Sequence, residues 1–326
     1  MTTAFSIGKA LASGFRLTRR RPLQVWAWGV VSVAPSLVFG ALILRLFGAT
    51  ALEDMASAEP SAAFVDQMMQ FQVWSGLANL LQALIWVAVT AAIFRAVLFP
   101  ERPAPWAGLK VGMDEIRVAV VALAMIVAFY AAAIVTGLLA FAVGAGLWFV
   151  SEMAAVALGL MTAVAAGLAV WGVLLRACLI MPASVALDDF AFVPGWKLSK
   201  GQVLRLLGLS LAIVFVVLAI ELALLAMIAV VLFLAAGVNV FSLAAMLDQG
   251  APPEVDWGVL IPWALAAFLP LSWLQGFLTT VVMAPYAEAC RSLLAQGPQD
   301  EPRPVALGCS GIEDDLYDAS RHRLRL

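Results

Sequence analysis

Hydrophobic residues fall into six long runs separated by shorter polar intervals, and this alternation is the strongest pattern in the chain. The runs cover residues 23–47, 71–99, 118–143, 153–177, 205–237 and 258–284. An α-helix needs about 20 mostly apolar residues to cross the hydrocarbon core of a bilayer, and every run reaches that length. The pattern therefore predicts an all-α integral membrane protein with six transmembrane helices.

Two of the polar intervals, 95–117 and 176–205, share one layout, and we refer to them as the first and second joints. Each begins with Arg-Ala as a hydrophobic run ends, places a leucine three residues after that arginine, and then passes through a proline. Each also sets a tryptophan four residues before a lysine. This repetition indicates that both joints connect successive membrane helices in the same way.

An amphipathic segment is predicted before each pair of spans. Residues 4–20 carry Ile7, Leu11 and Phe15 on one helical face and basic side chains on the other, as a helix lying in the membrane interface requires. The apolar face in the first joint consists of Trp106, Leu109, Met113 and Ile116. Trp suits the headgroup level and Lys can reach an anionic lipid surface, although setting topology alone is the favoured interpretation of these basic residues. The lipid-headgroup candidates are Lys9, Arg16, Trp106, Lys110, Trp196 and Lys200.

The predicted fold class is an all-α, six-helix membrane bundle built from three repeats of an interfacial amphipathic helix plus a transmembrane hairpin. The repeats cover residues 4–99, 103–177 and 193–284, within a membrane domain of residues 1–295. Residues 296–326 are rich in proline and charged side chains, which predicts a disordered cytoplasmic tail.

Composition supports this class, and the distribution of charge adds an orientation. Hydrophobic residues make up 64% of the chain and charged residues 12%, with a mean hydropathy of +1.00, which excludes an ordinary soluble domain. With six spans, 18 of the 19 basic residues fall on one side of the membrane and only Arg45 on the other. Because loops rich in Lys and Arg stay cytoplasmic, we predict a bacterial inner-membrane protein with both termini in the cytoplasm.

The residue types needed for catalysis or metal binding are scarce. The chain has one histidine, His322, and three cysteines, which cannot supply a Ser-His-Asp, Cys-His or four-ligand zinc site with ordinary spacing. We expect no catalytic residue, no metal and no other cofactor, and hence no enzyme. The carboxylate pairs Asp114–Glu115 and Asp188–Asp189 are interpreted as solvated loop charges, with metal or acid–base chemistry as the less favoured alternative.

Small and polar residues inside the runs predict how the helices pack. The small residues of the third and fourth runs, which predict close helix approach, are Gly137, Gly144, Gly146, Gly159 and Gly167. The intramembrane polar candidates are Glu221, Asn79, Gln82 and Gln275. Glu221 and Asn79 each lie 16 residues from the arginine at the cytoplasmic end of their span, or about 24 Å along a helix. We predict that they pair, either for packing or as a functional polar centre.

Three stretches carry a resemblance to a known family. They are SIGKALASGFRLTRRRPLQVW at the start, PAPWAGLKVGMDEIR in the first joint, and RACLIMPASVALDD followed by WKLSKGQVLRLLGL in the second. Over about residues 5–295 the chain resembles the bacterial glycerophosphoryl diester phosphodiesterase membrane-domain family. In fused members of that family the membrane domain precedes a soluble phosphodiesterase barrel, which uses histidine and acidic residues around a metal. No such barrel occurs in this sequence, so the resemblance implies the membrane part without that activity.

The function that these features favour is a non-enzymatic inner-membrane scaffold or a lipid-associated envelope protein. The alternative is a small-solute or lipid transporter with an intramembrane polar site around Glu221. Membrane lipids are the expected partners and nucleic acid is not, while a second copy or another membrane protein stays open. A transporter should show a continuous polar cavity, whereas a scaffold should show a packed bundle with its polar groups paired.

Overall fold

The computed structural model describes residues 5–56, 62–101, 106–110, 112–149, 151–236 and 257–296. The helices are α1 Ile7–Arg20, α2 Pro22–Ala56, α3 Ala62–Leu98, α4 Met113–Trp148, α5 Glu152–Ala177, α6 Ile180–Leu187, α7 Phe192–Leu198, α8 Val203–Ala236 and α9 Trp257–Gln296. A single 3-10 turn, Trp106–Gly108, lies between α3 and α4, and no strand occurs within these described ranges.

Six helical segments are long and apolar enough to cross a membrane, which confirms the predicted all-α class and the number of spans. The segments are Pro22–Leu42, Met68–Leu98, Met113–Gly146, Glu152–Leu187, Val203–Met227 and Ala266–Gln296. Large apolar side chains project outward along them; Phe141 and Met153, for example, are 73% and 83% exposed. Exposed apolar surface on this scale requires a lipid environment, so the chain is a multi-pass membrane protein. The predicted disordered tail lies outside the described residues.

Among the described residues, the firmly packed part of the bundle lies at one end. At this end α2, α4 and α8 begin, α3, α5 and α9 end, and the short helices α1, α6 and α7 are inserted among them. Because most of the chain's basic residues lie here, we name it the basic end. Its core includes fully buried Trp28, Phe94 and Leu206, whereas the far halves of α4, α5 and α8 expose most of their large apolar side chains.

Helix α6 is buried at the centre of the basic end. The sequence predicts a polar joint in this interval. The octet IMPASVAL of this helix is apolar or small at every position, and Pro182 falls in the first turn, where a helix tolerates proline. Ile180, Ala183 and Val185 each belong to a different apolar cluster of the core. The second joint therefore helps to hold the bundle together.

The leading segments of the three predicted repeats differ from one another. Helix α1 leads the first, a single 3-10 turn leads the second, and α6 and α7 precede the third. The predicted amphipathic helix over residues 106–116 is wrong, because positive φ angles at Ala107 (56°) and Gly108 (72°) turn the backbone away from a helical path before α4 begins at Met113. Within the third unit, α9 packs mainly on α1 and α2 rather than on α8.

The last helix extends beyond the predicted hydrophobic run 258–284 and passes through Pro285. It continues to Gln296, although a proline inside a helix removes one backbone hydrogen bond. The extension is retained because Ala289, Cys290 and Leu293 are buried in one cluster with apolar residues of α1, α6 and α8. Tertiary packing thus outweighs the local cost of the proline.

The buried face of α1 overlaps in part with the one predicted, since Ile7 and Leu11 are partly buried against the core, but the fully buried residues lie to one side of them. Ala10, Gly14 and Leu17 are buried, and a methyl group added at Gly14 would lie 2.9 Å from the Cα atom of Val281 in α9. Phe15, assigned to the apolar face, is 41% exposed and meets Phe277 of α9 edge to face. A stripe of small residues therefore lets the two backbones approach closely.

Two glycine contacts set the helix packing within the membrane. Helices α2 and α9 cross so closely that a Cβ atom on Gly29 would overlap the backbone oxygen of Ser272, and one on Gly276 would overlap that of Val25. Helices α4 and α5 approach less tightly, with an added Cβ on Gly159 3.6 Å from the Cα atom of Gly144. The predicted close approach is correct at Gly144 and Gly159, whereas Gly137, Gly146 and Gly167 face open space.

Candidate functional site

The basic end contains a network of ion pairs that links three helices. Arg95, near the end of α3, donates to Asp114 over 3.2 Å, to Glu115 over 2.5 Å and to the carbonyl oxygen of Gly108 over 2.9 Å. Glu115 also accepts from the backbone N–H of Gly112 at the start of α4, as the third residue of a helix does in half of a capping box. The two carboxylates thus stabilise the start of α4 and fasten it to α3.

Arg117 extends the network to the second joint. It donates to Asp114 over 3.2 Å and to the carboxylate of Asp188, which ends α6 in a left-handed conformation with φ 59°. Asp114 therefore lies between two arginines. The interpretation as solvated loop charges is wrong for Asp114 and Glu115, because the folding of the first joint brings arginines against both. Asp188 pairs with Arg117, but its side chain stays 58% exposed, and Asp189 is exposed as well.

Three further donors hold the backbone at the end of α3 and in the first joint. Arg21 donates to the carbonyl of Pro100 over 2.8 Å, Arg291 to that of Val97 over 3.1 Å, and the indole N–H of Trp28 to that of Ala107 over 2.7 Å. Val97 lies in the last turn of α3, where carbonyls lack partners within the helix, whereas Pro100 and Ala107 follow the helix. The first joint is consequently fastened to α2 and α9.

The intramembrane candidates do not form one polar centre. Glu221 and Asn79 are both exposed, and neither makes a hydrogen bond or ion pair within the described residues, so the predicted pair is absent there. Counting residues correctly assigns a depth along each helix but not the face on which a side chain lies. Gln275 is also exposed, while Gln82 donates to the carbonyl of Ser32 over 3.3 Å and accepts from Ser36, joining α3 to α2.

The lipid-headgroup candidates lie at the basic end, with Lys9 and Arg16 on α1 and the others in the two joints. Lys9, Arg16, Lys110 and Lys200 are exposed, and the side chain of Trp106 lies outside the described residues. Trp196 is 38% exposed, and its ring lies 5.5 Å from the guanidinium of Arg176, close enough for a cation–π contact. The second joint therefore pairs its first arginine with its own tryptophan.

Two features of the site were not recognised from the sequence. Arg95 and Arg117 enter the sequence prediction only as charges that set topology. Arg95 ends one hydrophobic run and Arg117 precedes the next, and the acidic pair Asp114–Glu115 lies between them, which is a recognisable signal for ion pairs. The spacing Ser272-x-x-x-Gly276 is a small-residue pattern typical of helix crossings in membranes, and it was also overlooked.

The polar contacts of the described residues are ion pairs and hydrogen bonds that connect helices. In the described ranges no group of three or more His, Cys, Asp or Glu side chains is placed to hold a metal ion. Comparison of the chain with protein-family models, curated proteins and solved structures finds no match. The family resemblance noted above therefore stays a prediction.

Proposed function

We propose that the protein is a non-enzymatic, lipid-associated scaffold of the bacterial inner membrane, with its basic end in the cytoplasm. The observation that carries the proposal is the division of the bundle into a packed, charged end and outer halves with exposed apolar helix faces. An end fastened by ion pairs can present a fixed surface to headgroups or to another protein. Membership of the phosphodiesterase membrane-domain family belongs to the same proposal.

The transporter alternative has less support in the geometry. A transport site needs polar groups that converge on a cavity within the membrane. Glu221, Asn79 and Gln275 are instead exposed, and no hydrogen bond joins their side chains to one another in the described residues. Gln82, the remaining candidate, is engaged in joining α2 to α3. The polar contacts of the described residues are instead concentrated at the basic end, where they connect helices.

Orientation is tested by cysteine labelling at two exposed positions. In a variant lacking the native cysteines, we expect Ser151→Cys, in the α4–α5 turn, to react with a membrane-impermeant maleimide added to intact cells or spheroplasts. Asp189→Cys, between α6 and α7, should react only after permeabilisation, because a basic end remains cytoplasmic. Reaction of Asp189→Cys from outside would place the basic end on the wrong side for this proposal.

Lipid association is tested by native mass spectrometry after purification from bacterial membranes in mild detergent. We expect bound anionic phospholipid to be enriched over its share in the total membrane extract, because the basic end carries an excess of positive charge. Glu221→Gln should retain the same lipids, since Glu221 has no polar partner in the described structure.

Either of two results would count against the proposal. Bound lipid in the same proportions as the membrane extract would show that the protein does not select anionic lipid. Loss of a specific ligand, or of solute flux in proteoliposomes, on Glu221→Gln would favour the transporter alternative instead.

A further inference from the structure

A pocket of about 140 Å³ at the basic end is lined by four arginines. It lies where α1, the junction of α1 with α2, the end of α3 and the end of α9 meet. Arg16 and Arg20 come from one face of α1, Arg21 from the junction, and Arg291 from α9. None of these residues apart from Arg16 was singled out from the sequence.

The charges around the pocket do not balance. Glu288 is the single carboxylate among its lining residues, and it pairs with Arg291 over 3.0 Å. Arg16 and Arg20 make no hydrogen bond or ion pair in the part of the chain that the structure describes. Four guanidinium groups facing one carboxylate repel one another, and an anion bound among them would relieve that repulsion.

Two of the arginines are already oriented by the protein. Arg21 and Arg291 each donate to a backbone carbonyl at or just beyond the end of α3, Pro100 and Val97 respectively. A guanidinium has five N–H donors, so each retains donors for a ligand after these bonds are made. Arginine forks match the oxygens of a phosphate group better than the single ammonium of lysine does.

The apolar residues that line the rest of the pocket indicate whether a bound phosphate group belongs to a lipid or is a free ion. Leu17, Ala96 and Val97 give the pocket an apolar side next to its arginines. The pocket lies where α3 leaves its membrane-spanning segment, which is the level of the lipid headgroups and of the first acyl carbons. An apolar wall beside a cationic one suits the phosphate and glycerol of a phospholipid better than a free ion.

We propose that this pocket binds the phosphate of an anionic phospholipid headgroup, with Arg16 and Arg20 as its adjustable ligands and Arg21 and Arg291 as its fixed ones. The inference rests on the lipid association proposed above and adds a defined site to it.

The test compares two double variants that remove the same charge. Arg16→Gln with Arg20→Gln changes the pocket, whereas Arg19→Gln with Lys197→Gln removes two exposed charges of the basic end that do not line it. Binding of dioctanoyl phosphatidylglycerol is titrated by native mass spectrometry in detergent. At about 1 kcal/mol for each basic residue, we expect the pocket variant to bind about 30-fold more weakly and the control to stay within about threefold of the unchanged protein.

Two further probes identify the ligand chemistry. Dioctanoylglycerol, which lacks the phosphate, should not bind at the concentrations at which the phospholipid does. Inorganic phosphate should displace the phospholipid only at much higher concentration; displacement at equal concentration would overturn the lipid source and leave a site for free phosphate.

The outcomes separate this inference from the function on which it rests. If both double variants lose affinity equally, or if neither does, the pocket is not the site, even though selective lipid association stands. If the unchanged protein retains no anionic lipid, the proposed function itself fails. Unfolding curves of both variants check that they are folded, which we expect because none of the four side chains holds another element.

Discussion

Gly29→Ala should destabilise the protein by about 3 kcal/mol, since an added methyl group would overlap the backbone of α9 at Ser272. The obstacle is a main-chain carbonyl rather than the flexible end of a side chain, so α2 and α9 would have to move apart. That movement would also strain the hydrogen bond of 3.0 Å from the indole N–H of Trp26 to the hydroxyl of Ser272. The free energy of unfolding can be measured by SDS titration in mixed micelles, with tryptophan fluorescence as the signal.

Gly40→Ala provides a matched control in the same helix. Nothing lies within 4 Å of a Cβ atom added at Gly40. Alanine favours a helix over glycine by up to about 1 kcal/mol, so this variant should be unchanged or slightly more stable. Equal stabilities of Gly29→Ala and Gly40→Ala would show that the close crossing of α2 and α9 does not exist.

The crossing illustrates which parts of this fold could be predicted from sequence. The six spans follow from hydrophobic run lengths, because the thickness of the bilayer imposes a minimum on each helix. The choice of partner for each helix does not follow, since inside a membrane close packing of small residues decides it and small residues also occur on faces that contact nothing. Gly29 and Gly276 lie at a crossing, whereas Gly137 and Gly167 are equally small and face open space.

In the candidate site too, the chemistry of single residues follows from the sequence, whereas the contacts between them do not. The chemistry of Arg95 and of the Asp114–Glu115 pair can be read from the sequence, but their contact depends on the left-handed turn at Ala107 and Gly108. The pairing of Glu221 with Asn79 was inferred from depth alone, and the rotation of each helix placed both side chains on exposed surfaces. Helix α6 is not predicted from the sequence, because the charged residues that flank its eight apolar or small residues make the interval resemble a polar loop.

Arg95→Gln should lower the free energy of unfolding by about 3 kcal/mol, the lower end of the range for breaking a buried ion pair. Glu115 is the reason for this large effect, because its side chain is only 10% exposed. Without Arg95 its charge would keep one partner among the described residues, the N–H of Gly112. Asp114 is 28% exposed and keeps Arg117, so its loss is smaller. The same SDS titration measures the change.

Neutralising Asp114 and Glu115 as well tests whether their uncompensated negative charge causes the loss of stability in Arg95→Gln. Arg95→Gln combined with Asp114→Asn and Glu115→Gln leaves no buried carboxylate without its cation, so it should be more stable than Arg95→Gln alone. Arg19→Gln, an exposed arginine outside the network, should change the free energy of unfolding by less than about 0.5 kcal/mol. If the triple variant is no more stable than the single one, Arg95 acts mainly through its bond to the carbonyl of Gly108. The network would then serve to fix the backbone of the first joint rather than to neutralise the carboxylates at the start of α4.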